Sequence, residues 1–120
     1  MDLPKKDKKF AREIIEKGLQ EELAKGLCEF DSILHDWKNG SKDHRTAYHS
    51  IFKAVKEFDR HIARRYDGVT GSKYFYVIAE LLFDGIMSEE YLKDFTAETQ
   101  QKFKEYLKLA KSKNRKEKII

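Results

Sequence analysis

Proline, cysteine and glycine are all scarce in this sequence. Its 120 residues include one Pro, one Cys and six Gly. A lone cysteine cannot form an internal disulfide, so nothing in the chain requires an oxidising compartment. With so few breakers, and with good helix formers between the apolar positions, helices are favoured over many short strands. We therefore predict an all-α protein.

Long apolar runs are also missing. The longest apolar segment, residues 74–83, is interrupted by Glu80 and is shorter than a membrane span. The first ten residues are charged where a signal peptide would be apolar. We predict a cytoplasmic protein with no membrane partner.

The usual catalytic and cofactor motifs do not occur in the sequence. There is no Gly-x-Ser-x-Gly elbow, no phosphate-binding glycine loop and no Cys or His metal framework. Asp31, His35 and His49 are the candidates for a metal-assisted enzyme, but His35, His49 and His61 project away from the apolar stripes and are better interpreted as surface residues. We predict no cofactor and no metal. A non-enzymatic function is favoured, although catalytic residues from scattered positions would leave no motif.

Large apolar side chains with helical spacing are the main feature that is present. Hydrophobic residues make up 40% of the chain, enough for one core. The first helix is predicted from near Pro4 to Trp37, and the second from a cap at Ser41 or Asp43 to Asp67-Gly68. These two helices are expected to form an antiparallel hairpin. The apolar stripe on the first comprises Leu19, Leu23, Leu27, Phe30, Leu34 and Trp37; that on the second comprises Tyr48, Ile51, Phe52, Val55, Phe58, Ile62 and Tyr66.

Shorter helices are predicted after the hairpin. Ser72 is expected to cap a third helix that ends at Gly85, and Ser88 to start a short fourth helix. Thr96 is expected to cap a fifth helix, whose inward side chains are Phe103, Tyr106, Leu107 and Ala110. The predicted fold is a compact bundle of four to five helices. Residues 1–110 would form a single helical domain, and residues 111–120 a basic, flexible tail.

Two apolar residues of the first helix do not follow its stripe. Phe10 and Ile14 project to nearly the opposite side at about 100° per residue. Either the helix bends or breaks near Gly18, or a second apolar face contacts a partner. On the second alternative we predict a small interaction or regulatory module that binds another protein or itself, with Phe10 and Ile14 as contacts.

Positive charge is concentrated at the two ends of the chain. Residues 1–12 carry a net charge of +3 and residues 102–118 a net charge of +6, while the whole chain carries +4. If the ends of the helices meet, they form a basic pole able to hold phosphates, and nucleic-acid binding is the alternative function. The plainer interpretation is that basic ends keep a small protein in solution. The candidate phosphate contacts are Lys5, Lys6, Lys8, Lys9, Arg60, Arg64, Arg65, Lys111, Lys113, Arg115 and Lys116.

Overall fold

Helices make up most of the backbone in the computed structural model, which describes residues 1–119 and the side chains of residues 1–114. No strand occurs in residues 1–119, so the all-α prediction is confirmed. None of the helices over these residues has both the length and the apolar composition needed to cross a bilayer. The α-helices are α1 (Lys5–Lys38), α2 (His44–Tyr66), α3 (Tyr74–Phe83) and α4 (Ala97–Ile119), with 3-10 turns at Gly71–Lys73 and Glu89–Leu92.

Packing divides the chain into two units. Unit 1 comprises Met1–Gly18 and Gly68–Ile120, and unit 2 comprises Leu19–Asp67. Helix α1 contributes its first part to unit 1 and its second part to unit 2. The division into a domain over residues 1–110 and a flexible tail beyond it stays a prediction.

Helix α1 is continuous through Gly18, so a break there is excluded. Gly18 instead permits close packing, because a Cβ at this position would lie 2.6 Å from Leu81 Cδ1. The side chain of Ile14 is buried and that of Phe10 is half-buried. The apolar stripe thus changes sides along an unbroken helix, and Ile14 is buried.

Unit 1 has a substantial hydrophobic core. Helix α3 contributes five buried residues to it, among them Phe75, whose ring stacks on that of Phe103 with centroids 4.5 Å apart. In α4, Phe103 and Leu107 are buried, and Tyr106 and Ala110 are half-buried, as their helical spacing predicts.

The helix boundaries agree only in part with the sequence signals. Asp43 caps α2, since its Oδ1 accepts a hydrogen bond from the Thr46 amide at 2.7 Å. Gly68 and Gly85 take positive φ after α2 and α3, as predicted. Ser72 does not cap α3, because it lies inside a 3-10 turn that leads directly into that helix.

The predicted fourth helix starts after Ser88 as expected, but it is a 3-10 helix and ends before Phe95. The segment after Ser88 forms a single 3-10 turn, Glu89–Leu92. Leu92 and Phe95 are both buried, and the Phe95 amide donates to the Leu92 carbonyl. Two side chains of this short segment are therefore buried in unit 1, and the segment does not continue as an α-helix.

Candidate protein-binding face

Unit 2 is an antiparallel hairpin of the second part of α1 and the whole of α2. Trp37 meets His44 beside the turn, and Glu22 meets Arg65 at the far end. Between them, Gly26 lies against the Phe58 ring so closely that a Cβ on Gly26 would be 2.5 Å from it. Phe30 packs edge-on against Phe58, with ring centroids 5.7 Å apart. Gly26 thus sets how closely the two helices approach.

A buried carboxylate joins the far end of this hairpin. Glu22 is 4% exposed, and its Oε1 lies 2.7 Å from Arg65 Nη1 and 2.6 Å from His61 Nε2. The hydroxyl of Tyr66 donates to Oε2 of the same carboxylate. Arg65 is itself buried. Glu22 therefore satisfies three side chains that project from one end of α2.

These contacts keep Glu22 ionised. Burial alone would raise the pKa of Glu22, but the hydrogen bonds from His61, Tyr66 and Arg65 outweigh it, so the pKa lies below its usual value. Burial and the neighbouring carboxylate raise the pKa of the Tyr66 phenol. Each group in the cluster has a hydrogen-bond partner, and the cluster ties the end of α2 to α1.

The largest exposed apolar surface of unit 2 lies along both helices of the hairpin. Leu27 is 66% exposed, Tyr48 69% and Phe52 57%. Among residues 19–67 the one buried hydrophobic residue is Ala47. We call this surface the hairpin face; its large apolar residues are Leu27, Leu34, Trp37, Tyr48, Phe52 and Val55.

These six side chains lie on the same side of the hairpin. On α1, Leu27 and Leu34 are rotated in one sense from Gly26, which points at α2. On α2, Tyr48 and Val55 are rotated in the same sense from Ala47, the buried residue of that helix. Because the two helices are antiparallel, the same rotation brings both apolar edges to one face.

An apolar pocket of about 310 Å³ lies on this face near the turn. His44 is the most polar residue of its lining, and His44 Nδ1 accepts a hydrogen bond from Trp37 Nε1 at 2.9 Å. His44 Nδ1 and Trp37 Nε1 thus satisfy each other. The surface of the pocket is almost wholly apolar. It is lined by Leu34, Trp37, His44, Ala47, Tyr48 and Ile51.

A second buried carboxylate, Asp7, lies in unit 1 and also serves the fold. Asp7 Oδ1 accepts from the Thr96 amide at 3.0 Å, and Oδ2 accepts from the hydroxyls of Thr96 and Thr99. Burial alone would raise the pKa of Asp7, but these hydrogen bonds lower it overall. Thr96 also accepts from the Thr99 amide, so the predicted cap is present. Asp7 therefore fixes the start of α1 beside the start of α4.

The contact between the starts of α1 and α4 determines how far the lysines of α4 lie from those of α1. Since α4 begins beside Asp7, Lys111 lies about 18 Å farther along that helix, at 1.5 Å per residue from Thr99. Lys111 and Lys113 therefore do not lie beside Lys5, Lys6 and Lys9 at the start of α1, because they are three or more turns along α4 from the contact with Asp7.

The other predicted phosphate contacts differ in availability. Arg65 is buried against Glu22 and cannot reach a phosphate, while Lys8 lies 3.3 Å from Asp2. Arg60 and Arg64 are exposed on α2, and Lys111 and Lys113 on α4. The side chains of Arg115 and Lys116 lie outside the described residues.

The histidines and acidic residues gather into no metal-binding group. Among the described side chains, no three His, Cys, Asp or Glu residues are placed to hold an ion together. His44 and His61 instead bond to Trp37 and Glu22.

Comparison of the chain with protein-family models, curated proteins and solved structures finds no match.

Proposed function

We propose that this protein is an interaction module that binds another polypeptide through the hairpin face. The observation that supports it most is the contrast within unit 2, where six large apolar side chains are exposed and Ala47 is the one buried hydrophobic residue. Contiguous exposed apolar surface of this kind marks interaction sites on proteins, because its burial releases about 25 cal/mol for each Å² removed from water.

The chemistry of the face suits a protein partner. Trp37, Tyr48 and Phe52 supply large, stiff aromatic surfaces of the type that dominates binding energy at protein interfaces. Ile14 is buried and Phe10 half-buried, so the exposed side chains of the hairpin face supply a larger contact surface than these two residues.

The proposal is tested by placing a photo-crosslinking phenylalanine analogue at position 52 in the cells that make the protein. Lys53 is the matched control, since it is the next residue of α2 and is exposed but points away from the face. We expect defined protein adducts from position 52 and none of them from position 53. Equal labelling from both positions, or no adduct from position 52, would contradict the proposal.

Nucleic-acid binding remains the second candidate, supported by exposed lysines in unit 1. Lys5, Lys6 and Lys9 are exposed at the start of α1, and Lys111 and Lys113 near the end of α4. The test is fluorescence anisotropy with labelled oligonucleotides across a salt series. Binding through phosphates requires affinity that falls steeply with salt, with a shallower slope in Lys5→Ala/Lys6→Ala/Lys9→Ala and an unchanged slope in Phe52→Ser. Lack of binding near physiological salt would exclude this function.

A further inference from the structure

We propose that the polypeptide covering the hairpin face is a second copy of this chain, so that two hairpins pack as a four-helix bundle. This inference rests on the proposed function and names its partner. An antiparallel helix pair with one common apolar face is half of a four-helix bundle, in which every helix has two neighbours. Within unit 2, each helix has one.

The charges of the hairpin make it complementary to itself. The α1 part, residues 19–38, carries five acidic and two basic side chains, a net charge of −3. Helix α2 carries six basic and two acidic side chains, a net charge of +4. A second copy brings both signs, so each acidic helix can lie along a basic one.

This separation of charge also selects the symmetry of the dimer. A two-fold axis parallel to the helices places α1 of one copy against α2 of the other and keeps these neighbours antiparallel. A two-fold axis perpendicular to the helices would instead pack acidic helix on acidic helix and basic on basic. The parallel axis is therefore the arrangement we propose.

Two charged residues, Asp31 and Lys56, border the hairpin face at similar positions along the helix axes. Asp31 lies four residues after Leu27 and three before Leu34, on the same side of α1. Lys56 lies one turn after Phe52, with its Nζ 5.9 Å from the centre of the Phe52 ring. Both side chains are exposed, and the contacts from Trp37–His44 to Glu22–Arg65 put them within about one helical turn of each other along the hairpin. In the proposed dimer Asp31 of each copy meets Lys56 of the other.

The first experiment is sedimentation equilibrium of the full chain over a wide concentration range. We expect a species of twice the 14.2 kDa monomer mass, and about a 100-fold weaker association in Tyr48→Ser/Phe52→Ser. Circular dichroism checks that this variant keeps its helices. Leu109→Ser is the control, because Leu109 is 72% exposed and belongs to unit 1, so it is not a residue of the hairpin face; it should dimerise like the native chain.

The outcomes separate this inference from the proposed function. A monomer at every concentration overturns the second copy, and adducts to a different protein from position 52 would then still support an interaction module. Equal weakening by Leu109→Ser would place the dimer contact elsewhere and overturn the inference as well.

The second experiment tests the symmetry by charge exchange. We expect Asp31→Lys and Lys56→Glu each to weaken self-association about tenfold, since each places like charges together twice in a symmetric dimer. An equimolar mixture of the two variants should restore native affinity, because both contacts then pair opposite charges. If the mixture stays as weak as the separate variants, the arrangement of α1 against α2 of the second copy is wrong.

Discussion

The buried carboxylate of Glu22 holds three donors from α2, and its removal leaves them without their shared acceptor. Replacing Glu22 by Gln would leave the buried guanidinium of Arg65 without its negative partner. Breaking such a pair from one side costs about 3 kcal/mol. We expect Glu22→Gln to lower the free energy of unfolding by about that amount in urea titrations. Glu21→Gln, at the exposed neighbouring position, should change it by less than about 0.5 kcal/mol.

The same residue gives unfolding a defined pH dependence. The pKa of Glu22 in the folded chain lies below its ordinary value of 4.5. Its contribution to stability is therefore complete above that pH and is lost as the pH falls through the lower, folded-state pKa. The native chain should lose stability more steeply in acid than Glu22→Gln does. Parallel pH curves for the two proteins would show that Glu22 is not the responsible group. Asp7 and Asp43, whose pKa values are also lowered, contribute to the slope that remains in the variant.

At the scale of elements, the close spacing of α1 and α2 depends on the absence of a side chain at Gly26. Ala at position 26 favours a helix by about 1 kcal/mol over Gly, but its Cβ would lie 2.5 Å from the Phe58 ring, and overpacking costs about 1–3 kcal/mol. We expect Gly26→Ala to destabilise the native chain by about 1 kcal/mol in thermal or urea unfolding. In a Phe58→Leu background the same change should be neutral or stabilising. If its effect is the same in both backgrounds, contact with Phe58 is not the cause.

The elements also show which structural features a single sequence can reveal. The helical spacing predicts α1, α2 and the last helix, and Asp43, Gly68 and Gly85 mark boundaries correctly, because caps and turns are decided by local chemistry. Neither Ser72 nor Ser88 starts an α-helix. Ser72 lies in a 3-10 turn that leads into α3, and the segment after Ser88 forms a 3-10 helix that lets Leu92 and Phe95 be buried.

The candidate site was harder to predict. Periodicity identifies the apolar stripe of α2 but does not reveal that Tyr48 and Phe52 stay uncovered, since exposure depends on what packs across the stripe. Glu22 carries no signal beyond being one acidic residue on an apolar flank. Its three partners are separated from it by 39 to 44 positions and become neighbours only when the hairpin forms.

At the scale of the whole molecule, the two units differ in how much apolar surface they bury. Unit 1 contains all the buried hydrophobic residues of the described chain except Ala47. Local opening is easiest where few apolar contacts must be broken. In dilute protein we therefore expect the amides of α2 to exchange with solvent at least about tenfold faster than those of α3, measured by hydrogen exchange with mass spectrometry.

Raising the protein concentration should slow exchange in α2 and leave α3 unchanged, because association covers the hairpin face. Tyr48→Ser/Phe52→Ser should show no such concentration dependence. Equal protection of α2 and α3 in dilute protein would mean that the hairpin is as stable alone as the core of unit 1.

The Glu22 cluster also distinguishes the native hairpin from misaligned ones. Sliding α2 by one turn in one direction would put Glu57, His61 and Ile62 where His61, Arg65 and Tyr66 now lie, setting a second carboxylate beside Glu22. Sliding it one turn the other way would put Val69 and Thr70, which lie beyond the end of α2 at Tyr66, in the places of Arg65 and Tyr66. Part of the apolar stripe still matches after either shift, since one shift puts Ile51 where Val55 now lies and the other puts Val55 where Ile51 now lies. The Glu22 carboxylate loses partners in both shifts, so it selects the native alignment of the two helices over the shifted ones.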